Sequence, residues 1–136
     1  MIETPLLTVD CILFDNDSVL LIKRGNSPFK GYMALPGGFV DHGETVEEAC
    51  VRELFEETHV RVEVDSLTLL GVYSKVGRDP RGSTVSITFF AQSPDDCEIL
   101  SGDDAVEAYF VSDWEKINLA FDHRKIIQDF FKLKNQ

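Results

Sequence analysis

Basic residues are scarce in this chain: 13 Lys and Arg stand against 24 Asp and Glu, a formal charge of −11 over 136 residues. Such a surface repels phosphate backbones and anionic headgroups, which argues against nonspecific nucleic-acid binding and against docking on an anionic membrane. Cysteine is equally sparse. Cys11, Cys50 and Cys97 are odd in number, scattered and without C-x-x-C spacing, so neither a disulfide scaffold nor a zinc site is expected. His42, His59 and His123 form no H-x-x-x-H pair and read as surface or packing residues. No apolar run approaches the roughly 20 residues that cross a bilayer, and the acidic N-terminus has no basic segment before an apolar stretch. The setting expected is reduced and cytoplasmic. There is no internal repeat or low-complexity tract.

What is present suits one compact enzyme domain over residues 1–136. Hydrophobic residues make up 43% of the chain, enough for one core and too few for two ordinary domains. The pattern alternates between strand and helix periods. Leu6 to Phe14 reads as a strand, Asp15 to Ser18 as a turn and Val19 to Arg24 as the hairpin partner; Gly25 to Gly31 is a loop. Met33 to Phe39 reads as one short strand leading to a helix over Val46 to Thr58. Val60 to Val64 alternates as a strand does, and Leu67 to Lys75 is a further extended run. Thr84, Ser86 and Thr88 alternate with Val85, Ile87 and Phe89 in a half-buried strand. Ser93 to Ala105 is loop-rich, Glu107 to Val111 extended, and Ile126, Ile127, Phe130 and Phe131 mark a final helix over Asp122 to Leu133.

The chemistry concentrates in the first helix. Glu53, Glu56 and Glu57 stand at i, i+3 and i+4, within an arc of roughly 100°. They continue the side occupied by Val46, Ala49 and Cys50, so the apolar stripe of the early turns becomes acid in the last ones. A structural surface helix keeps its acids opposite the apolar face, as Glu47 and Glu48 do here. Like charges at this spacing oppose one another, and a divalent cation among them removes the conflict. Magnesium, or manganese in its place, held by carboxylates and substrate phosphate oxygens, is the ion expected. Thr45 is placed to cap the helix, with Glu48 in capping-box spacing. Arg52 can orient a neighbouring carboxylate, and Glu44 either orients Arg52 or joins the outer shell of the metal. Gly37 and Gly38 let backbone approach a metal or a ligand without a Cβ. Val51 and Phe55 lie off the main face, and read either as a second packed side or, for Phe55, as a subunit or ligand contact.

The segment from Gly38 to Val60 resembles the Nudix box, G-x5-E-x7-R-E-U-x-E-E-x-G-U with U a bulky aliphatic residue. It matches at Gly38, Glu44, Arg52, Glu53, Leu54, Glu56, Glu57 and Val60. His59 replaces the family's glycine, and His is among the side chains that tolerate positive φ. Outside the box, the run from Pro28 to Val40 is similar to a lead-in of ADP-ribose pyrophosphatases, with Met33 where many relatives have tryptophan. Gly77-Arg78-Asp79-Pro80-Arg81-Gly82 and Leu119-Ala120-Phe121-Asp122-His123 also resemble motifs of that subgroup.

The resemblance implies the Nudix fold, an α/β/α sandwich with a mixed β-sheet. It implies metal-assisted hydrolysis of a nucleoside diphosphate derivative, ADP-ribose to AMP and ribose 5-phosphate being the expected reaction. The expected catalytic residues are Glu53, Glu56, Arg52 and Glu44, and the expected metal ligands Gly37, Glu53, Glu56 and Glu57. Substrate contacts are expected from Arg24, Arg78, Arg81, Gly38 and Phe29. Arg78 and Arg81 would grip phosphate or ribose, or else brace the Asp79-Pro80 turn; Phe29 and Tyr32 would stack on a base or else anchor their loop. A general base in a later loop points to Asp103, Asp104 or Glu107. The alternatives are another nucleotide substrate (an oxidised nucleoside triphosphate, a dinucleoside polyphosphate, a nucleotide sugar) or a non-catalytic ADP-ribose-binding module. The subgroup also allows a homodimer.

Overall fold

A computed structural model describes residues 3–100 and 105–136. The order is β1 (Leu6–Asp15), β2 (Ser18–Arg24), β3 (Met33–Ala34), β4 (Gly37–Phe39), α1 (Val46–Thr58), β5 (Thr68–Tyr73), β6 (Thr84–Gln92), β7 (Ala105–Val111) and α2 (His123–Lys134). The strands form a seven-stranded sheet with β3-β2-β1-β6-β5 as its main path, β4 paired with β1 and β7 with β2. β1 and β6 run parallel from Leu6↔Thr84 to Phe14↔Gln92, and the other pairings are antiparallel. The sheet is therefore mixed, as expected.

Both faces of the sheet are covered, which explains why β1 and β2 read as continuous apolar runs rather than alternating ones. Val9, Cys11 and Leu13 of β1 pack with Ala49, Cys50 and Leu54 of α1 on one face. Ile12, with Val19 and Leu21 of β2, packs with Ile126, Ile127 and Phe130 of α2 on the other. This is the α/β/α sandwich. No helix among the described residues is long and apolar enough to cross a membrane.

Two sequence expectations are corrected. Met33 to Phe39 is two strands: β3 pairs with β2, and β4 pairs with β1. β2 holds only the C-terminal end of this edge of β1, at Phe14 and Asp15, and β4 occupies the ladder at Thr8 to Asp10. Pro36, which has no N–H to give, bridges the step by accepting from the Cys11 N–H at 2.9 Å. Val60 to Val64 is not a strand; Val60 and Val62 are buried in the α1 core cluster, and Val64–Ser66 is a 3-10 turn. Its alternation reports one-sided burial without a ladder partner. In β6 the expected strand forms, and its hydroxyls lie inside: Ser86 and Thr88 are 0% exposed, while Val85 and Ile87 are half-buried and Phe89 is buried.

α1 has the ends its sequence suggests. The Thr45 hydroxyl accepts from the Glu48 N–H at 3.1 Å, and the Glu48 carboxylate accepts from the Thr45 N–H at 2.8 Å. His59 adopts the left-handed conformation at φ 61°, and its N–H donates to the Phe55 carbonyl at 2.8 Å. Its ring stacks on Phe55, whose other neighbour is the Arg61 guanidinium 4.3 Å from the ring centroid. Phe55 thus serves as a packing platform within the chain. Replacing Thr45 with Ala removes half of the capping box, and chemical denaturation is expected to show a loss of about 1 kcal/mol.

Candidate active site

A cavity of about 450 Å³ opens where the acidic end of α1 meets β1, β4, the Arg24–Ser27 segment, the Arg78–Arg81 loop and the start of α2. Its lining is acidic at Glu53, Glu56 and Glu57 and basic at Arg24, Arg78 and Arg81.

The acidic wall depends on two backbone approaches. The Gly37 N–H donates to Glu57 Oε1 at 2.8 Å. At Gly38, a Cβ would lie 2.6 Å from the Glu53 carboxyl group. Arg52 organises the rest: it donates to Glu44 at 2.7 Å, to Glu53 and Glu56 at 2.9 Å each, and to the Phe39 carbonyl at 3.0 Å. Glu44 therefore orients Arg52, one of the two roles its position allowed. The contact holds Glu44 below, and Arg52 above, their ordinary pKa ranges. Burial acts the other way on the helix acids. It raises Glu53 and pushes the deeper Glu57 up from 4.5 to about 8. Among the described residues no three His, Cys, Asp or Glu side chains converge as a finished metal site. Instead Arg52 draws on Glu53 and Glu56, and Gly37 holds Glu57.

Among the expected substrate contacts, Arg24 and Arg81 line the cavity. The Arg24 Nε–H donates to the Pro28 carbonyl at 2.7 Å, and its guanidinium lies 5.0 Å from the Phe121 ring centroid. Arg81 is 45% exposed and pairs with the buried Asp79 at 2.8 Å, while resting near the Phe39 and Phe121 rings. It both braces its turn and faces the cavity. Arg78 also reaches the cavity, but its side chain is 4% exposed, paired bidentately with Asp122 and bonded to Thr84. The grip expected of it is taken by these partners. Phe29 is corrected: it packs edge-on against Tyr32 and Phe121 at 5.4 and 5.0 Å and is not in the cavity lining, so it anchors its loop. Glu107 is corrected too. It is an exposed residue inside strand β7, opposite Lys23, and away from the cavity. Asp103 and Asp104 lie outside the described residues.

Several cavity residues were not among the expected site residues: Asp10, Phe39 and Asp41, and also Asp79, Phe121 and His123 of the outer motifs. His123, expected at the surface or in packing, is 3% exposed and opens α2 beneath the cavity. A carboxylate at Asp10, inside an otherwise apolar strand, was the available signal.

A NUDIX domain model matches residues 4–130. The chain belongs to the Nudix family. It is 53% identical over 131 residues to an ADP-ribose pyrophosphatase of Methanocaldococcus jannaschii, covering 96% of this chain and 76% of that one. The Nudix domain of Shewanella oneidensis NrtR, solved with ADP-ribose, superposes with a TM-score of 0.84 at 31% identity, covering 96% of this chain and 89% of that one. A bifunctional NMN adenylyltransferase/ADP-ribose pyrophosphatase of Francisella tularensis, solved with AMP and a manganese ion, gives 0.85 at 31% identity. That match covers 96% of this chain and 42% of the Francisella chain. The Nudix box thus coincides with β4, α1 and the His59 cap.

Two predictions follow from the geometry of the box. A Cβ at Gly37 would sit 2.2 Å from the Val9 carbonyl oxygen, whereas at Gly38 it meets only the end of the Glu53 side chain. Gly37→Ala is therefore expected to lose about 1–3 kcal/mol, as overpacked cores do, and Gly38→Ala less than about 1 kcal/mol with a displaced Glu53 carboxyl. Thermal denaturation and a crystal structure of the second variant check this. Because the Glu57 pKa rises on folding from 4.5 to about 8, the native state binds more protons than the unfolded one between those values. Unfolding free energy contributed by this group therefore falls as pH rises through that window. In metal-free buffer, Glu57→Gln is expected to flatten the loss of melting temperature between pH 5 and 8 (about the span of the shift).

Proposed function

We propose that this Nudix protein is a divalent-metal-dependent hydrolase that splits ADP-ribose into AMP and ribose 5-phosphate. The observation that carries the reading is the pair of carboxylates, Glu53 and Glu57, turned from the end of α1 against Gly37 and Gly38 in the lining of a cavity that also carries three arginines. The donor set fits a hard divalent ion: it offers oxygen ligands, and burial leaves Glu53 and Glu57 with disfavoured negative charge that a cation would relieve. Glu53, Glu56 and Glu57 would hold magnesium or manganese, with the Gly37 carbonyl as a further oxygen. When bound, such an ion offsets the charge of the diphosphate and lowers the pKa of a coordinated water.

The chain's own residues do the rest. Arg52 holds Glu53 and Glu56 in place, and Glu44 fixes Arg52. Arg81, anchored by Asp79, presents positive charge to the anionic substrate, and Arg24 flanks it. Water oxygen bonds to phosphorus as the bridging P–O bond breaks. The proton from that water passes to a carboxylate, for which Glu53, Glu56 and the segment carrying Asp103 and Asp104 are the acids on offer. Likeness to the M. jannaschii enzyme and to ADP-ribose-bound NrtR supports ADP-ribose over other nucleotides. The NrtR likeness also suits a binding module, but the complete set of Arg52, Glu53, Glu56 and Glu57 favours turnover. A cytoplasmic location and a homodimer belong to the same reading.

The test is a panel of ADP-ribose, an oxidised nucleoside triphosphate, a dinucleoside polyphosphate and a nucleotide sugar, each assayed with magnesium and with manganese. ADP-ribose is expected to be preferred, with AMP released and activity abolished by chelator. Glu53→Gln is expected to lower kcat by roughly 10²-fold or more. A strong triphosphate preference would overturn the substrate, and wild-type turnover by Glu53→Gln would overturn the site.

A further inference from the structure

Beneath the box lies a buried polar network that the reaction above does not use. The Asp10 carboxylate is 7% exposed at the floor of the cavity lining. The Ser86 hydroxyl donates to its Oδ2 at 2.5 Å and lies 3.0 Å from the Thr88 hydroxyl. Its Oδ1 lies 3.3 Å from His123 Nε2. The other imidazole nitrogen is committed as well: the Leu35 N–H donates to His123 Nδ1 at 3.0 Å. An Nδ1 that accepts carries no proton, so the ring is held as the tautomer with its hydrogen on Nε2, the nitrogen nearer Asp10. The Leu35 N–H ties one end of the ring, and Asp10 lies beside the other.

The location gives this pair its meaning. Asp10 stands opposite Gly37 in the β1–β4 ladder, and a Cβ on Gly37 would lie 2.6 Å from Asp10 Oδ1. Leu35 begins the step between β3 and β4, where no strand partner takes its N–H and the His123 ring receives it. The backbone that bonds Glu57 thus lies directly against Asp10 and is tied upstream by His123. A hydroxyl row on β6 would have no reason to be buried in a plain apolar core, since unpaired hydroxyls there are costly; here it completes the solvation of Asp10.

We infer that Asp10 and His123 are positioning residues, which set the Leu35–Gly37 backbone and through it the Glu57 carboxylate for metal binding. This rests on the reading of Glu53, Glu56 and Glu57 as metal holders. Outer-shell partners of metal ligands are worth about 10–100-fold in affinity or activity when removed.

The experiment compares wild type, His123→Ala and His123→Asn, the last of which keeps an acceptor where Nδ1 stood. Manganese alone is titrated by electron paramagnetic resonance, exchange of the Leu35 amide is followed by NMR, and ADP-ribose turnover is measured. His123→Ala is expected to bind manganese about tenfold more weakly, to speed Leu35 exchange, and to lower kcat about tenfold or more while KM moves less than about threefold. His123→Asn is expected to recover most of the loss in all three. Should the Ala variant not fold, His123→Gln, which fills the space but places no acceptor at the Nδ1 position, takes its place. Manganese affinity within about twofold of wild type in the Ala or Gln variant, or an Asn variant as impaired as they are, overturns the inference. If wild type prefers another nucleotide, only the substrate assignment falls, because the manganese titration still decides the positioning role.

Discussion

The close approach of β4 to the acidic end of α1 is the constraint on which the site depends. Gly37 and Gly38 are the contact points: a Cβ on Gly37 would meet the Val9 carbonyl at 2.2 Å, and one on Gly38 would displace the Glu53 carboxyl, which lies 2.6 Å away. Removing two side chains lets a backbone N–H reach Glu57 and lets Glu53 lie along the strand. Burial then does what it does to any carboxylate, disfavouring the charged form. The result is a pair of acids whose negative charge is poorly solvated by the protein itself, an arrangement that suits capture of a cation.

Electrostatic pairing resolves the mismatch between a chain of net charge −11 and an anionic substrate. The arginines around the cavity are not equivalent. Arg78 is sealed against Asp122 and Thr84, so it locks the 77–82 loop to the start of α2. Arg81 uses Asp79 as an anchor yet stays 45% exposed, which leaves its charge felt in the cavity. Arg52 divides its donors among three carboxylates and a carbonyl. A guanidinium is suited to that because its planar fork presents five N–H groups at once. Positive charge is thus few in number but placed where the acids would otherwise collide.

Much of this was legible along the chain. The helix from Val46 to Thr58, its Thr45 cap and the placing of Glu53, Glu56 and Glu57 on one side of it follow from a 3.6-residue period and local capping chemistry, which need no distant partner. The strands of the central sheet were visible for the same reason. Val60 to Val64 was misread because alternation marks one-sided burial, and burial against a helix imitates burial in a sheet. The split of Met33 to Phe39 was hidden because it depends on which part of β1 is left free by β2. Phe29 and Glu107 failed as site residues because a residue type says what a side chain can do but not which way the loop or strand turns it.

The order of residues by itself settled the first helix, its acidic end and the family, because each is written in contacts between residues a few positions apart. The tertiary structure alone decided that Asp10, Ser86, Leu35 and His123 meet beneath the box, and that Arg81 faces the cavity while Arg78 is sealed. Those groups come from different strands, loops and helices. Their meeting depends on the parallel register of β1 with β6 and on the packing of α2 against the sheet, which no local pattern records.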